Sequence, residues 1–270
     1  MTSPRTITSL TNDRVKFIRS LEMRKVRRET GLFVAEGVSI LVTAREMGFA
    51  PQTLAFQAGS ADTGVAKWLV QGAIAAGAEC LEVPAAVLEK LASKDNPQTM
   101  LGVFAQRWAS PPDAIGVQRD DVWLALEEVR DPGNLGTILR TVDAVGAKGV
   151  ILIGSCVDPY SREAIRATMG SIFAVPVVRM TREAFSAWRT AWPGDVVGTH
   201  LEAREDVRLA SYRLPAVVVM GSEGPGLSQD VRAACSRLVK IPMAGKLDSL
   251  NLSIATAITL FEIRRPQLKL

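Results

Sequence analysis

The sequence of 270 residues predicts an α/β protein with a smaller N-terminal α/β domain and a C-terminal domain built on a parallel sheet. In the second half, short β-branched apolar runs alternate with helical segments, which is typical of strands covered on both faces. A polar stretch with Ser-Pro-Pro separates the two parts. We therefore predict domains over 1–108 and 122–270, joined by a linker over 109–121.

The first part predicts a small α/β unit. Its N-terminus suggests a short amphipathic helix, because Val15, Ile18, Leu21 and Met23 are spaced among basic residues. Two of the later helices stop at Gly48 and Gly77. The further predicted elements are strands at 32–35, 53–56, 79–83 and 100–106 and helices at 38–47, 65–76 and 84–91.

The second part alternates strands and helices with short connections. Predicted strands are 122–126, 149–153, 174–178, 196–199, 216–220 and 238–241. Predicted helices are 134–145, 161–169, 182–191, 226–234 and 250–263. Parallel sheets of this kind bind their ligands at the carboxyl ends of the strands, so we expect the site there.

The positive charge of the chain is concentrated at its start. The formal net charge is +4, and the first thirty residues hold eight of the basic side chains against three acidic ones. The densest cluster consists of Arg24, Lys25, Arg27 and Arg28. It predicts contact with a polyanion, and a solvated helix face is the alternative.

Composition excludes several classes of protein. Cys80, Cys156 and Cys235 are isolated, and His200 is the only histidine, so we predict neither a metal site nor a disulfide framework. We expect a reducing, cytoplasmic setting. No apolar run reaches the ~20 residues that a membrane-spanning helix needs, so no membrane association is predicted.

The first candidate motif runs from Glu127 to Arg140, after a predicted strand. Asp-Pro-Gly is a turn sequence, and Asn134 is a natural N-cap for the following helix. Arg140 lies off the apolar stripe of that helix and needs an anionic partner. The partner is either a ligand or a carboxylate of the protein itself, Asp143 or Glu128.

The second motif is the glycine-rich loop 221–228 between a strand and a helix. Its glycines allow a ligand to approach the backbone closely. No lysine follows them, so the loop is not a phosphate cradle of the Walker type, and Glu223 would repel a polyphosphate. A neutral or zwitterionic ligand fits better.

The third motif is the segment 241–265, which ends in the last predicted helix. Ser249 is a suitable N-cap for that helix. Its apolar face is predicted to consist of Leu250, Ile254, Ala257, Ile258 and Phe261. Ile241, Met243 and Leu250 could supply an apolar floor for a flat ring, with backbone groups bonding the edge of the ring.

These motifs resemble a known family in their order and spacing. The residues are N-x5-R (Asn134 and Arg140), GSEGPGLS (221–228) and IPMAGKLDSLNLSIATAITLFE (241–262). They are similar to the three motifs of the SpoU/TrmH-type RNA ribose methyltransferases of the SPOUT class, over roughly residues 120–265. The first domain, with FVAEGVSILVTA (33–44) and NPQTMLGVF (96–104), resembles the ribosomal-protein-like substrate-binding domain that many of these enzymes carry.

The resemblance implies a trefoil knot formed by the loops around 221–228 and 241–250, S-adenosylmethionine as cofactor, and a homodimer formed through the C-terminal domain. The implied active-site residues are Asn134, Arg140, Glu223, Ser249 and Asn251. The expected cofactor contacts are Thr199, Gly221, Ile241, Met243 and Leu250. The polyanion expected at the basic cluster is then RNA, with ribosomal RNA favoured over transfer RNA by the additional N-terminal domain.

The residue types suit methylation of a ribose 2′-hydroxyl. A sulfonium methyl is already a good electrophile, so the enzyme has mainly to position and activate the oxygen. Arg140 either stabilises the developing alkoxide, which we favour, or acts as general base assisted by a phosphate. A non-catalytic RNA-binding protein on this scaffold is the alternative. A dinucleotide-dependent oxidoreductase is disfavoured because G-x-G-x-x-G is missing after the first strand of the domain.

Overall fold

The computed structural model describes residues 3–62, 64–92 and 98–269. The chain forms two compact units: unit 1 comprises Met1–Gln106 and Asp158–Ala174, and unit 2 comprises Arg107–Val157 and Val175–Leu270. The division expected from the sequence differs from this in two respects. The segment from Asp158 to Ala174 groups with unit 1, and the segment expected to be a linker is part of unit 2.

Unit 1 is built around a five-stranded sheet. Its elements up to residue 106 are β1 (Arg5–Thr6), α1 (Asp13–Ser20), α2 (Arg24–Thr30), β2 (Leu32–Glu36), α3 (Val38–Glu46), β3 (Thr53–Gln57), α4 (Gly64–Ala75), β4 (Glu79–Val83), α5 (Ala85–Leu91) and β5 (Met100–Ala105). The strand order is β1-β4-β3-β5-β2, with β5 antiparallel to both of its neighbours. Apolar side chains of α1, α5 and the strands form one buried cluster on this sheet.

Most elements of unit 1 agree with the sequence-based expectation, with two exceptions. The single N-terminal helix is divided into α1 and α2, and the edge strand β1, of two residues, was not predicted. The motif over 96–104 begins with Asn96 and Pro97, which lie outside the described residues.

The remaining elements, apart from α7, belong to unit 2. They are β6 (Val122–Glu127), α6 (Pro132–Ala144), β7 (Val150–Ile153), α7 (Arg162–Thr168, in unit 1), β8 (Val177–Met180), α8 (Arg182–Trp188), β9 (Val196–Thr199), β10 (Glu205–Asp206), β11 (Ala216–Met220), α9 (Gln229–Ala234), β12 (Arg237–Lys240) and α10 (Leu252–Arg264). All strand pairs of this seven-stranded sheet are parallel, as predicted, in the order β10-β12-β9-β11-β6-β7-β8.

The strand order of unit 2 places a reversal at the centre of the sheet. The chain runs from β6 outward through β7 to β8, and then crosses to the other side, where β11 pairs with β6. The register puts Met220 opposite Leu126, so the carboxyl ends of these two strands are adjacent. Such a switch point opens a crevice that is the usual ligand site of parallel α/β sheets.

Some predicted boundaries in unit 2 were wrong for identifiable reasons. The strand expected over 174–178 begins at Val177, because residues 171–173 form a 3₁₀ turn and Pro176 has no N–H for the ladder. The helix expected from 226 begins at Gln229, where Ser228 is the N-cap. The two-residue strand β10 was not predicted.

The segment that was expected to be a linker packs on unit 2. The backbone N–H of Ala109 donates to the carbonyl of Val177 at 2.9 Å. The indole N–H of Trp188 donates to the carbonyl of Pro112, also at 2.9 Å. These bonds fix the segment as part of the second unit. Among the helices of the described chain, none has the length and hydropathy to cross a bilayer.

Candidate active site

The three motifs meet at one edge of the parallel sheet of unit 2. Glu127 ends β6, Thr199 ends β9, Met220 ends β11 and Lys240 ends β12. Because these four strands are parallel neighbours, the loops that follow them leave from the same edge. The sheet topology therefore brings together segments that are far apart in the sequence.

Asp131, rather than Asn134, is the N-cap of α6. The Oδ1 atom of Asp131 accepts a hydrogen bond from the backbone N–H of Asn134 at 2.6 Å, and Pro132 occupies the first turn, where its missing N–H costs nothing. The prediction for Asn134 was therefore wrong: it lies in the first turn of the helix. Its side chain remains available for contacts with the other motifs.

A chain of hydrogen bonds through Asn134 joins the three motifs. The Nδ2 atom of Asn134 donates to Oε1 of Glu223 at 3.0 Å, and its Oδ1 atom accepts from Nδ2 of Asn251 at 3.0 Å. The second oxygen of Glu223 accepts from the backbone N–H of Arg130 at 3.2 Å. Both ends of the Asn134 amide are thus engaged, which fixes its orientation.

Asn251 is the N-cap of α10, and the prediction of Ser249 as the cap was wrong. The Oδ1 atom of Asn251 accepts from the backbone N–H groups of Ser253 at 2.8 Å and Ile254 at 3.4 Å. Ser249 is exposed and lies before the cap residue, too far for its side chain to reach the free N–H groups of the first turn. Ser249 stays in the loop that leads to the site.

The apolar face predicted for the last helix does not face the core of unit 2. Of its five predicted members, Leu250, Ile254 and Phe261 are 37%, 50% and 50% exposed, and Ala257 and Ile258 are only partly buried. The buried positions are instead Leu252, Ser253, Thr256, Thr259, Leu260 and Ile263. The sequence-based interpretation failed because both stripes of α10 have helical spacing and three of the buried positions are Ser or Thr. The hydroxyls of Thr256 and Thr259 donate to backbone carbonyls four residues earlier, which satisfies them inside the core.

Arg140 lies on the outer face of α6 and is exposed. Within the described part of the chain, its guanidinium has neither an ion-pair nor a hydrogen-bond partner, so the alternative of pairing with Asp143 or Glu128 does not hold. Glu128 pairs with Arg182 instead. Arg130, which the sequence did not single out, is also exposed and without a side-chain partner among the described residues. An exposed guanidinium without a protein partner is suited to bind a phosphate or an oxyanion.

The glycine-rich loop is closed on itself. Ser222 and Gly226 exchange backbone hydrogen bonds of 3.2 and 3.1 Å, and Gly226 has a φ of 73°. A Cβ atom on Gly221 would lie 2.1 Å from the carbonyl carbon of Gly226 and 2.3 Å from the nitrogen of Leu227. Only glycine fits at position 221, because real Cβ contacts are never that short.

The residues expected to contact a cofactor surround the same edge. The hydroxyl of Thr199 donates to the sulfur of Met220 at 3.4 Å, Ile241 and Met243 are half-buried, and Leu250 is exposed. Residues 242–250 form no hydrogen bond with any other described residue. Their peptide groups are available to bond the edge of a ligand, as the apolar floor predicted from the sequence requires.

Two residues that the sequence analysis gave no role, Glu127 and Arg182, also belong to this edge. Glu127 is 2% exposed, and its Oε2 atom accepts from the backbone N–H of Ser228 at 2.8 Å. Its Oε1 atom accepts from Nε of Arg182 at 2.7 Å. An acidic residue at the last position of an apolar strand was the signal available in the sequence, since a buried carboxylate needs partners.

The basic cluster lies on α2, and the structure contradicts the prediction for one of its members. Arg27 is buried in unit 1, where its Nε and Nη2 atoms each lie 2.8 Å from Oδ2 of Asp158 and its Nη1 atom donates to the carbonyls of Leu21 and Glu22. Its role is therefore to hold the unit together. Arg24, Lys25 and Arg28 are exposed on the outer face of the helix.

The thiols near the site do not offer a nucleophile. Burial raises the pKa of the Cys156 thiol to about 11 and that of Cys235 to about 12, so both stay protonated at neutral pH. Among the described residues, no cluster of His, Cys, Asp and Glu could hold a metal ion.

The chain thus combines a parallel α/β unit that carries this polar edge with a separate small α/β unit. Residues 121–261 match the model of the SpoU rRNA Methylase family, and residues 12–102 match the MRM3-like substrate binding domain. The chain belongs to the SpoU rRNA methylase family.

Similar proteins match this chain over nearly its full length. A crystal structure of an rRNA methyltransferase from Sinorhizobium meliloti is 41% identical, with a TM-score of 0.90 over 99% of this chain and 100% of its own. A second structure, of an AdoMet-bound rRNA methyltransferase from S. meliloti, is 42% identical, with a TM-score of 0.89 over 98% of this chain and 99% of its own. A 23S rRNA (uridine(2479)-2'-O)-methyltransferase from Streptomyces viridochromogenes is 30% identical, over 91% of this chain and 86% of its own.

Proposed function

We propose that this protein transfers a methyl group from S-adenosylmethionine to a ribose 2′-hydroxyl of RNA, and that its substrate is ribosomal RNA. The observation that carries the proposal is the hydrogen-bonded chain Glu223–Asn134–Asn251, which ties the three motifs together. Arg140, six residues beyond Asn134 on α6, presents an exposed guanidinium without a partner among the described residues. The names of the S. meliloti and S. viridochromogenes relatives support the choice of ribosomal RNA.

The loops at the carboxyl edge fit a cofactor of this chemical class. The tight turn at Gly221, the unpaired peptide groups of 242–250 and the half-buried side chains of Ile241 and Met243 suit an adenine ring and a zwitterionic amino acid. Thr199 and Leu250 border the same edge. When bound, S-adenosylmethionine supplies an electrophilic methyl group. We also propose that the loops around 221–228 and 241–250 form a trefoil knot.

The residues of the chain then act on the other reactant, the ribose. Arg140 stabilises the negative charge that develops on the 2′-oxygen and binds the adjacent phosphate. Glu223, Asn134 and Asn251 hold the three motifs in a fixed arrangement, so that the oxygen and the methyl group meet in line. Ser249 lies in the loop that enters α10, where it borders the site.

The RNA substrate is tested by mapping ribose methylation in ribosomal and transfer RNA from cells with and without the gene. We expect one 2′-O-methylated nucleotide of ribosomal RNA to lose its mark when the gene is deleted. A mark missing from transfer RNA instead would move the enzyme to the other substrate class. An unchanged pattern in both RNAs would contradict the proposed activity.

The exposed cations of α2 are proposed to bind the RNA backbone. Replacing Arg24, Lys25 and Arg28 by Gln, with the buried Arg27 left intact, should weaken RNA binding and reduce the slope of log K against log[salt] by up to about 3, because each cation that binds a phosphate accounts for roughly one unit of slope. Binding is measured by fluorescence anisotropy at several salt concentrations.

A charge-matched variant provides the control for this experiment. Lys67, Lys90 and Arg119 are also exposed, and replacing these three by Gln removes the same charge elsewhere. We expect this variant to retain most of the salt dependence. Equal reductions in both triple variants would mean that only the overall charge matters and that α2 is a solvated face.

We also propose that the protein is a homodimer formed through α10. The stripe with Leu250, Ile254 and Phe261 leaves apolar surface uncovered on unit 2, and a second copy of the chain would cover it. Changing Ile254 and Phe261 to Glu should convert the protein from dimer to monomer in sedimentation at micromolar concentration. Ile115→Glu, at a position 93% exposed, should leave the dimer intact. A monomeric wild-type protein would contradict this part.

A further inference from the structure

Glu127 is a buried carboxylate whose two oxygens serve different segments of unit 2. One oxygen binds the backbone N–H of Ser228 at 2.8 Å, and the other binds Arg182 at 2.7 Å. Removing a carboxylate from water is costly, and these two charge-assisted bonds compensate for it. The arrangement connects the end of β6 with the start of both α8 and α9.

Arg182 joins two consecutive carboxylates. Its Nη2 atom lies 2.5 Å from Oε1 of Glu128, in addition to the bond with Glu127. Consecutive side chains of an extended strand point to opposite faces, and so could not bind one guanidinium together. Glu128 has a φ of 49°, in the left-handed region that non-glycine residues rarely adopt, and this turn brings its carboxylate to the same cation.

Glu127, oriented by Arg182, contacts the glycine-rich loop at Ser228. The loop leaves β11 at Gly221, next to β6 in the sheet, and it ends at Ser228, whose hydroxyl caps α9. Glu127 therefore fixes the downstream end of a loop whose upstream end is fixed by the ladder. Between these ends, Glu223 bonds Asn134 and the backbone of Arg130.

We propose that Glu127 and Arg182 are positioning residues for methyl transfer, which hold the loop from Gly221 to Ser228 in the shape that binds the cofactor and presents Glu223 to Asn134. Neither side chain needs to touch a reactant. Arg182 keeps the buried carboxylate oriented, and the carboxylate keeps the loop in register with α6. The inference rests on the proposed function, because the loop is taken to be part of the cofactor site.

The test is a comparison of Arg182→Gln with Arg237→Gln, measured by steady-state methylation of RNA and by thermal unfolding. Arg237 pairs with Glu205 at 2.8 Å, and its side chain is 29% exposed against 36% for Arg182, but it lies at the start of β12, away from the site. We expect Arg182→Gln to raise the KM for S-adenosylmethionine at least about tenfold, with the KM for RNA within about twofold of wild type. Arg237→Gln should lower the melting temperature without changing either KM.

Conservative variants separate positioning from a general loss of structure. Arg182→Lys keeps the charge and should give an intermediate KM. If Arg182→Gln does not fold, Glu127→Gln replaces it, with the same expected rise in the KM for the cofactor. A folded Arg182→Gln or Glu127→Gln protein with a wild-type KM would overturn the inference while leaving the proposed function standing. A wild-type protein that neither binds the cofactor nor methylates RNA would overturn both.

Discussion

Arg140→Ala should retain binding of S-adenosylmethionine and reduce methyl transfer by about 10²–10³-fold, the effect found when one preorganised oxyanion donor is removed. Arg140 is exposed on α6, and its side chain makes neither a hydrogen bond nor an ion pair with any described residue. Its removal therefore leaves no buried polar group without a hydrogen-bond or ion-pair partner, and the melting temperature should stay close to that of the wild type. The reduction is measured in single-turnover reactions at saturating cofactor.

Arg119→Ala is the matched control for Arg140→Ala. Arg119 is also exposed and has no partner among the described residues, but it precedes β6 at the opposite edge of the sheet. We expect its turnover to be within about twofold of wild type. If Arg140→Ala turned over at a nearly normal rate, Arg140 would have no part in the chemistry, and another cation, such as the exposed Arg130, would have to take this role.

Gly221→Ala has the second largest expected effect, on cofactor affinity. The added methyl group would lie 2.1 Å from the backbone of Gly226, which is part of the same loop and cannot rotate away. Overpacking of this kind costs about 1–3 kcal/mol, so if the loop moves, the Kd for S-adenosylmethionine should rise roughly ten- to hundredfold. Calorimetric titration measures the change directly.

Gly116→Ala controls for the generic effect of adding a methyl group at a glycine. Apart from the two adjacent residues, the nearest atom to a Cβ at this position would be the carbonyl oxygen of Asp113, at 3.7 Å. Gly116 also lies outside the site. Its affinity for the cofactor should equal that of the wild type. Unchanged affinity in Gly221→Ala as well would show that the loop does not contribute to the cofactor site in the way proposed.

The fold was predictable because its signals are local and repeated. The runs of β7, β9 and β11 are short and rich in β-branched residues, and both faces of a parallel sheet are covered, so each run could be recognised alone. The resemblance of the three motifs to the SpoU family then identified the class of enzyme. Two-residue edge strands such as β10 carry no such pattern, and they were missed.

The details of the site were harder to predict because they depend on partners distant in sequence. Asn134 and Asn251 were both recognised, but the assignment of Asp131 and Asn251 as the caps follows from where each helix begins. Arg27 could not be distinguished from Arg28 in a basic segment, since its partner, Asp158, lies 131 residues away. The exposed stripe of α10 looked like a core face because helical spacing does not say what covers it.

The most direct test of the central claim is the position of the transferred methyl group. The purified protein is incubated with S-adenosylmethionine carrying a deuterated methyl group and with ribosomal RNA from cells that lack the gene. The RNA is then digested to nucleosides and analysed by mass spectrometry. The proposed chemistry predicts the label on the ribose of a single 2′-O-methylated nucleoside. Label on a base, or no label in any RNA while the cofactor is bound, would contradict it.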